Sequence, residues 1–317
     1  MKFSKYKYLF FAVSFLLTIV FFAATYSIYG GFAHSITFDG GIRFSMLVPP
    51  EIGKEDMEKA LQKTELKDYQ VRLVNLKTNQ YDVEFGPSVQ SVMEEKIAAE
   101  KKNPSTAEST GVKKTVIGEL EGIILRSFTF AGEKNIVSRE AISASYGGNL
   151  ARVALSSLLW VIGIIGIYLS FRFDFPFAVG ASAALLHDVI LSVGFIGIMQ
   201  IEPSIPVVAA VLTIIGYSIN DTIVIFDRIR ENSESRSSAT IENVMDMAIT
   251  QTLSRTIITS LLTLLSVLAL LFGGAESLRD FSLVLIFGIV IGTYSSIFIA
   301  SHFVQVYEKL RAAKKRA

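Results

Sequence analysis

Residues 214–232 read IIGYSINDTIVIFDRIREN, an oily helical stretch that carries Asn220-Asp221 inside it and leaves through arginines and acids. At the helical repeat, Thr213, Gly216, Tyr217, Asn220 and Asp221 share one face, and Ile, Val, Leu and Phe supply the others. A charged residue at the centre of a membrane helix costs about 2.5–3.5 kcal/mol on insertion scales, so this stripe must face protein or water. The stretch therefore predicts a span with neighbours.

Those neighbours are legible as apolar runs over 9–29, 154–171, 176–199, 257–272 and 281–304, with 205–226 making six. Each approaches the ~20 residues that cross a ~30 Å hydrocarbon core. With 51% apolar residues, the chain reads as a polytopic α-helical membrane protein. The first run follows Lys2, Lys5 and Lys7, is long for a signal-peptide core, and ends in FFAATYS without a small-x-small cleavage site. An uncleaved anchor is expected. The net charge of +1 offers nothing to nucleic acid, and the absence of cysteine excludes disulfides and thiolate chemistry.

Residues 30–152 have the mixed polarity of a soluble domain. IRFSMLV is strand-like, GKEDMEKALQKT is a short amphipathic helix, and YQVRLVN and YDVEF alternate as strands. Helices over 89–102 and 116–127 and a last strand, NIVSREAI, complete a β-α-β-β-α-β order. That order resembles a ferredoxin-like α+β sandwich, interrupted by a loop at KKNPSTAESTGVKK. Lysine and arginine cluster at the amino terminus, Arg172, the loop with Arg228, Arg230, Arg236 and Arg255, and the tail from Lys309, while the opposite loops carry only Arg279. The positive-inside rule puts both termini in the cytoplasm and the large domain outside. The expected organisation is a first span within 1–29, an outer domain over 30–152, a five-helix bundle over 153–306 with a cytoplasmic loop at 227–256, and a basic tail over 307–317.

The fifth span repeats the polar device, with Thr252, Arg255, Thr256, Thr259, Ser260 and Thr263 on one face. Because the fourth span ends where the fifth begins, Asp221 and Arg255 are expected at comparable depth. An arginine there holds the aspartate ionised, and protonation releases the arginine, which makes the pair a two-state proton switch. The bland alternative leaves Asp221 at the interface, snorkelling or capping local structure. In the third span His187-Asp188 occupies neighbouring positions that project from different faces, a poor metal pair. Proton relay and interhelical hydrogen bonding are both open for Asp188; packing is expected for His187. His34 and His302 read as interfacial. Gly288-x-x-x-Gly292 permits close helix approach. There is no P-loop, HExxH or Gly-x-Ser-x-Gly motif, and no cofactor or metal is expected.

LTIIGYSINDTIVIFDRIREN followed by SRTIITSLLTLL resembles the signature of the SecF branch of the SecD/SecF protein-export family, and FRFDFPFAVGASAALLHDV resembles that family's segment joining the second and third spans. The chain departs from the family pattern at SITFDGG, where Thr37 stands for an acidic residue and Asp39 follows two positions later, and at AISASYGG, which lacks the usual proline. The resemblance implies one six-span half of an RND-superfamily unit in the bacterial inner membrane, with SecD supplying the other half. It also implies proton-motive-force-driven export of unfolded preproteins through the SecYEG translocon with SecA. Asp221 and Arg255 match the family's proton-conducting pair, supported by a polar face of Asn220, Tyr217, Thr213, Thr259, Asp188 and His187. A proton-coupled small-solute exporter of the same architecture is the rival; solute flux in vesicles lacking the translocon separates the two. A non-catalytic scaffold whose stripes merely glue helices is a third reading.

Overall fold

Six helices long and apolar enough to span a bilayer account for most of the chain in a computed structural model. It describes residues 3–33, 35–75, 78–102, 115–128, 130, 132–235, 240–275 and 278–307. The expectations for His34, Arg236, most of the KKNPSTAESTGVKK loop and the basic tail beyond residue 307 lie outside the described residues. The chain divides into a helical unit, residues 1–33 and 154–317, and an α+β unit, residues 34–153.

In the α+β unit, a one-turn helix α2 (Ile36–Asp39) precedes β1 (Gly41–Leu47), α3 (Lys54–Gln62), β2 (Tyr69–Asn75), β3 (Gln80–Phe85), α4 (Pro87–Lys102), α5 (Val116–Ser127) and β4 (Ile136–Ile142). The four strands form one antiparallel sheet in the order β2-β3-β1-β4, the ferredoxin-like arrangement. Alternation along β1 sends Ile42, Phe44 and Met46 into a core with Met57, Leu61, Val83, Phe85, Leu120 and Ile124. Its opposite face carries Arg43 and Ser45. There Arg43 lies 2.6 Å from Glu84 and 3.4 Å from Asp82, and Ser45 donates to Asp82, so two carboxylates only 6% and 8% exposed have partners.

The two departures from the family pattern meet in this unit. Ser35 and Asp39 cap α2 reciprocally: the Ser35 hydroxyl accepts from the Thr37 N–H and the Asp39 carboxylate accepts from the Ser35 N–H. Asp39 thus serves a local turn. Gly147 in AISASYGG sits so close to that turn that a Cβ there would come within 2.8 Å of the Phe38 carbonyl oxygen. No larger residue fits without moving backbone.

The spans are α1 (Lys7–Tyr29), α6 (Ala144–Arg172), α7 (Phe175–Ile198), α8 (Ile205–Ser235), α9 (Ile241–Gly273) and α10 (Arg279–Ser295), the last extended through a π turn at Ser296–Ala300. Several helices outrun their apolar runs: α8 continues nine residues past Phe226, and α9 begins sixteen before Ile257. Hydropathy detects the bilayer, whereas the helix follows packing. Val244, Met245, Ala248 and Ile249 on the early turns of α9 are buried against the bundle. About half of α7, α8 and α10 is buried within the chain, against about a tenth or less of α1, α6 and α9. Three helices therefore form the centre and three the margin.

Along each central helix a polar belt separates two apolar layers. One layer includes Val207, Val211, Ile214, Val284 and Ile289; the other includes Ala181, Ala184, Phe226, Ile229 and Val304. Gly288 lies against Ile214 so closely that an added Cβ would fall 2.0 Å from the Ile214 side chain, and one at Gly292 would fall 3.1 Å from Ser218 Cβ. The GxxxG spacing brings α10 onto α8 at the level of the belt.

Candidate functional site

The belt centres on Asp188, which is fully buried at mid-helix on α7. Ser218 of α8 and Ser295 of α10 both donate to its Oδ2, at 2.5 and 2.7 Å, and His187 Nδ1 lies 2.9 Å from Oδ1. Adjacent helix positions diverge at Cβ, yet the His187 imidazole still reaches the Asp188 carboxyl. His187 Nε2 is buried with no hydrogen-bond partner. The belt continues through Thr222, whose hydroxyl bonds Ser296, and through Tyr294, which donates to the Phe10 carbonyl and meets the Ser14 hydroxyl. The π turn begins at Ser296, next to Ser295, and both serines are fully buried in this belt.

Asp221 is buried on α8, with 3% of its surface exposed, one turn beyond Ser218. Its Oδ2 has no hydrogen-bond partner. The groups that act on its carboxyl are the Arg255 guanidinium and the Ser260 hydroxyl, both from α9. The structure thus brings Asp221 and Arg255 to the same α8–α9 seam, at a separation longer than a direct ion pair among the described residues. Ser260 also bonds Thr293 of α10 at 2.7 Å, tying α9 to the centre beside Asp221.

The remaining residues of the two stripes separate. Thr213 and Thr259 spend their hydroxyls on their own helices, donating to Ala209 and to Arg255 and Thr256 carbonyls. Tyr217 carries a buried hydroxyl without a partner. Thr213, Gly216 and Asn220 are exposed, so this chain leaves the polar face of α8 uncovered. Ser218, Ser295 and Ser296 were not singled out from the sequence, and Ser260 entered only as a member of the fifth span's polar stripe. Serines are common in membrane helices, and their signal is visible only as polar positions level with Asp188 or Asp221 on other spans.

Arg255 also lines an open cleft of about 340 Å³ between the charged ends of α8 and α9, with Val224, Asp227, Arg228, Glu231, Gln251 and Thr252. A buried carboxyl with an open hydrogen-bonding position thus lies across a helix seam from a guanidinium, with an open cleft beyond it. Among the described residues, no three His, Asp or Glu are placed to hold a metal ion.

Comparison with known proteins agrees with this architecture. Residues 124–310 match the family described as "Protein export membrane protein SecD/SecF, C-terminal". The protein translocase subunit SecF of Sebaldella termitidis is 36% identical over 287 residues, covering 90% of this chain and 85% of the relative. That of Borreliella burgdorferi is 32% identical over 98% of both chains. The crystal structure of the translocon-associated membrane protein SecDF from Thermus thermophilus superposes with a TM-score of 0.79 at 32% identity, over 98% of this chain and 39% of that one. This chain spans about two fifths of the solved SecDF chain. A six-span bundle, a ferredoxin-like unit after the first span and similarity along nearly the whole chain converge: it belongs to the SecD/SecF family of protein export membrane proteins, on the SecF side.

Proposed function

We propose that this protein couples inward proton flow to late-stage export of unfolded preproteins through the SecYEG translocon with SecA, acting as one half of a complex with a SecD subunit. The observation that carries the reading is Asp221, buried on α8 with an unpartnered carboxyl oxygen and with Arg255 across the seam. A buried carboxyl group costs several kcal/mol when left charged and unsatisfied, so a change in its protonation shifts which neighbours it attracts. Moving one elementary charge across 100 mV supplies about 2.3 kcal/mol, enough to reverse a modest conformational bias.

Two further features support the reading. The exposed stripe of Thr213, Gly216 and Asn220 is unsuited to lipid and fits a second polar helix face, which the SecD half would provide. The SecDF relative joins both halves in one chain, and this chain spans 36% of it. In the proposed topology both termini lie in the cytoplasm and the α+β unit lies outside, where it holds the emerging chain. Protonation of Asp221 weakens its attraction for Arg255, shifts α9 along the seam and resets the outer domain.

The test is Asp221→Asn in inverted inner-membrane vesicles with its native partner subunits. Proton-motive-force stimulation of preprotein export is expected to vanish while copurification with the SecD subunit persists. Full stimulation in that variant would remove Asp221 from the mechanism.

A further inference from the structure

Arginines and carboxylates crowd the charged end of the helical unit, and the structure sorts those around the α8–α9 cleft. A single Nη of Arg172, at the end of α6, donates to both oxygens of Asp227 on α8, at 2.8 and 3.0 Å. Arg228 donates to Glu231 at 2.6 Å and to Gln251 at 2.7 Å, and Asn232 also donates to Gln251. Arg255 forms no ion pair with any described residue, although Asp227 and Glu231 line the same 340 Å³ cleft. Its remaining carboxylate is Asp221, buried behind the seam.

We propose that Arg172 is a positioning residue for the α8–α9 switch: by occupying Asp227 it keeps that carboxylate from capturing Arg255, which stays available to Asp221. The inference rests on the functional reading above and adds to it a residue on a third helix. Physically the argument is one of competition. Asp227 is the more accessible carboxylate, with 40% of its side chain exposed, and reaching it costs Arg255 less desolvation than approaching Asp221. Without Arg172, the bare Asp227 carboxylate shares a cleft with one guanidinium that has no other carboxylate in contact. Arg228, its neighbour in sequence, is already engaged by Glu231 and Gln251. The stacking of Arg172 over the Phe173 ring at 4.9 Å fixes the direction from which it reaches Asp227.

Because the Arg172–Asp227 pair is partly exposed, its removal is a matter of about 1 kcal/mol or less. Arg172→Gln is therefore expected to lower proton-motive-force-dependent export about two- to fivefold, without abolishing it. The decisive measurement is rescue. In vesicles carrying each variant as the sole copy with its native partners, Asp227→Asn alone should match the wild type, and Arg172→Gln with Asp227→Asn should restore the lost stimulation. A normal response in Arg172→Gln, or a double variant as impaired as the single, overturns the proposal. If Arg172→Gln does not accumulate in the membrane, Arg172→Lys replaces the planar fork with a point charge. It should show a partial loss that Asp227→Asn repairs, and no repair overturns the proposal equally. Asp221→Asn in the same assay keeps the two ideas apart. If it loses all stimulation while Arg172→Gln is normal, only the positioning role fails; if it retains stimulation, the switch itself fails.

Discussion

The belt around Asp188 and the seam around Asp221 each bury one aspartate in the same bundle, and they treat it in opposite ways. Asp188 has two serine hydroxyls from two other helices and an imidazole from its own, so its acceptor capacity is used in binding α7 to α8 and α10. Asp221 has an oxygen with no donor and a guanidinium held at a distance across the seam. A fully satisfied carboxyl stabilises one arrangement of helices; an incompletely satisfied one leaves two arrangements close in free energy. On the proposed reading, the difference separates a fastening from a moving part within about 30 residues of sequence.

That contrast breaks most sharply on Asp221→Asn. The isosteric amide should eliminate proton-motive-force-dependent export and leave the detergent unfolding midpoint of the protein unchanged; a large drop in that midpoint would make Asp221 a fastening too. Next in size is Asp188→Ala, which orphans Ser218 and Ser295 and should destabilise the helical unit by about 1–3 kcal/mol, the worth of two interhelical hydrogen bonds, read from the same midpoint. Asp188→Asn, which keeps an acceptor oxygen, should cost less. Gly288→Ala tests the close approach that supports the belt. Overpacking against Ile214 is expected to cost at least about 1 kcal/mol, and an unchanged midpoint would show that α8 and α10 can part freely. Thr259→Val sharpens the comparison from below, because a hydroxyl that serves its own helix should be silent in both assays.

The smallest effect lies in the α+β unit, where charges are paired. Arg139 hydrogen-bonds Glu121 at 2.8 and 2.5 Å and holds its carboxyl below the ordinary range. A depressed carboxyl value means the stabilisation is fully present above the unfolded value of about 4.3 and is lost as pH falls from there through the folded value. The difference in urea midpoint between wild type and Glu121→Gln should therefore be present at neutral pH and disappear in acid. A difference that grew in acid would reverse the assignment.

Much of this was legible in the letters. The strands at YQVRLVN and YDVEF and the helix over 116–127 followed from period and propensity, and the six spans followed from apolar length. Less visible was how far α8 and α9 continue as helix beyond their apolar runs, because hydropathy windows register solvent and not backbone hydrogen bonding. The stripe on α8 was read as one face, yet Thr213, Gly216 and Asn220 are exposed while Asp221 is buried and under the influence of Arg255 and Ser260 of α9. Periodicity assigns residues to a face; it does not say which neighbour that face receives. The Asp188 belt escaped for the same reason, since Ser218 and Ser295 stand 30 and 107 positions away.

The π turn after Ser295 has a consequence for how this bundle tolerates insertions and deletions. Such a turn accommodates one more residue than an α-helical turn would. Deleting one residue between Ser296 and Ala300 would let the segment relax to ordinary α geometry with everything downstream still in phase, whereas α geometry at the present length would swing it by about 100° around the axis. In that second case His302, Val304 and Gln305 would leave the positions they now occupy beside α1, α7 and α9. The turn's conformation, as much as the composition of the segment, therefore keeps the last helix seated on its neighbours.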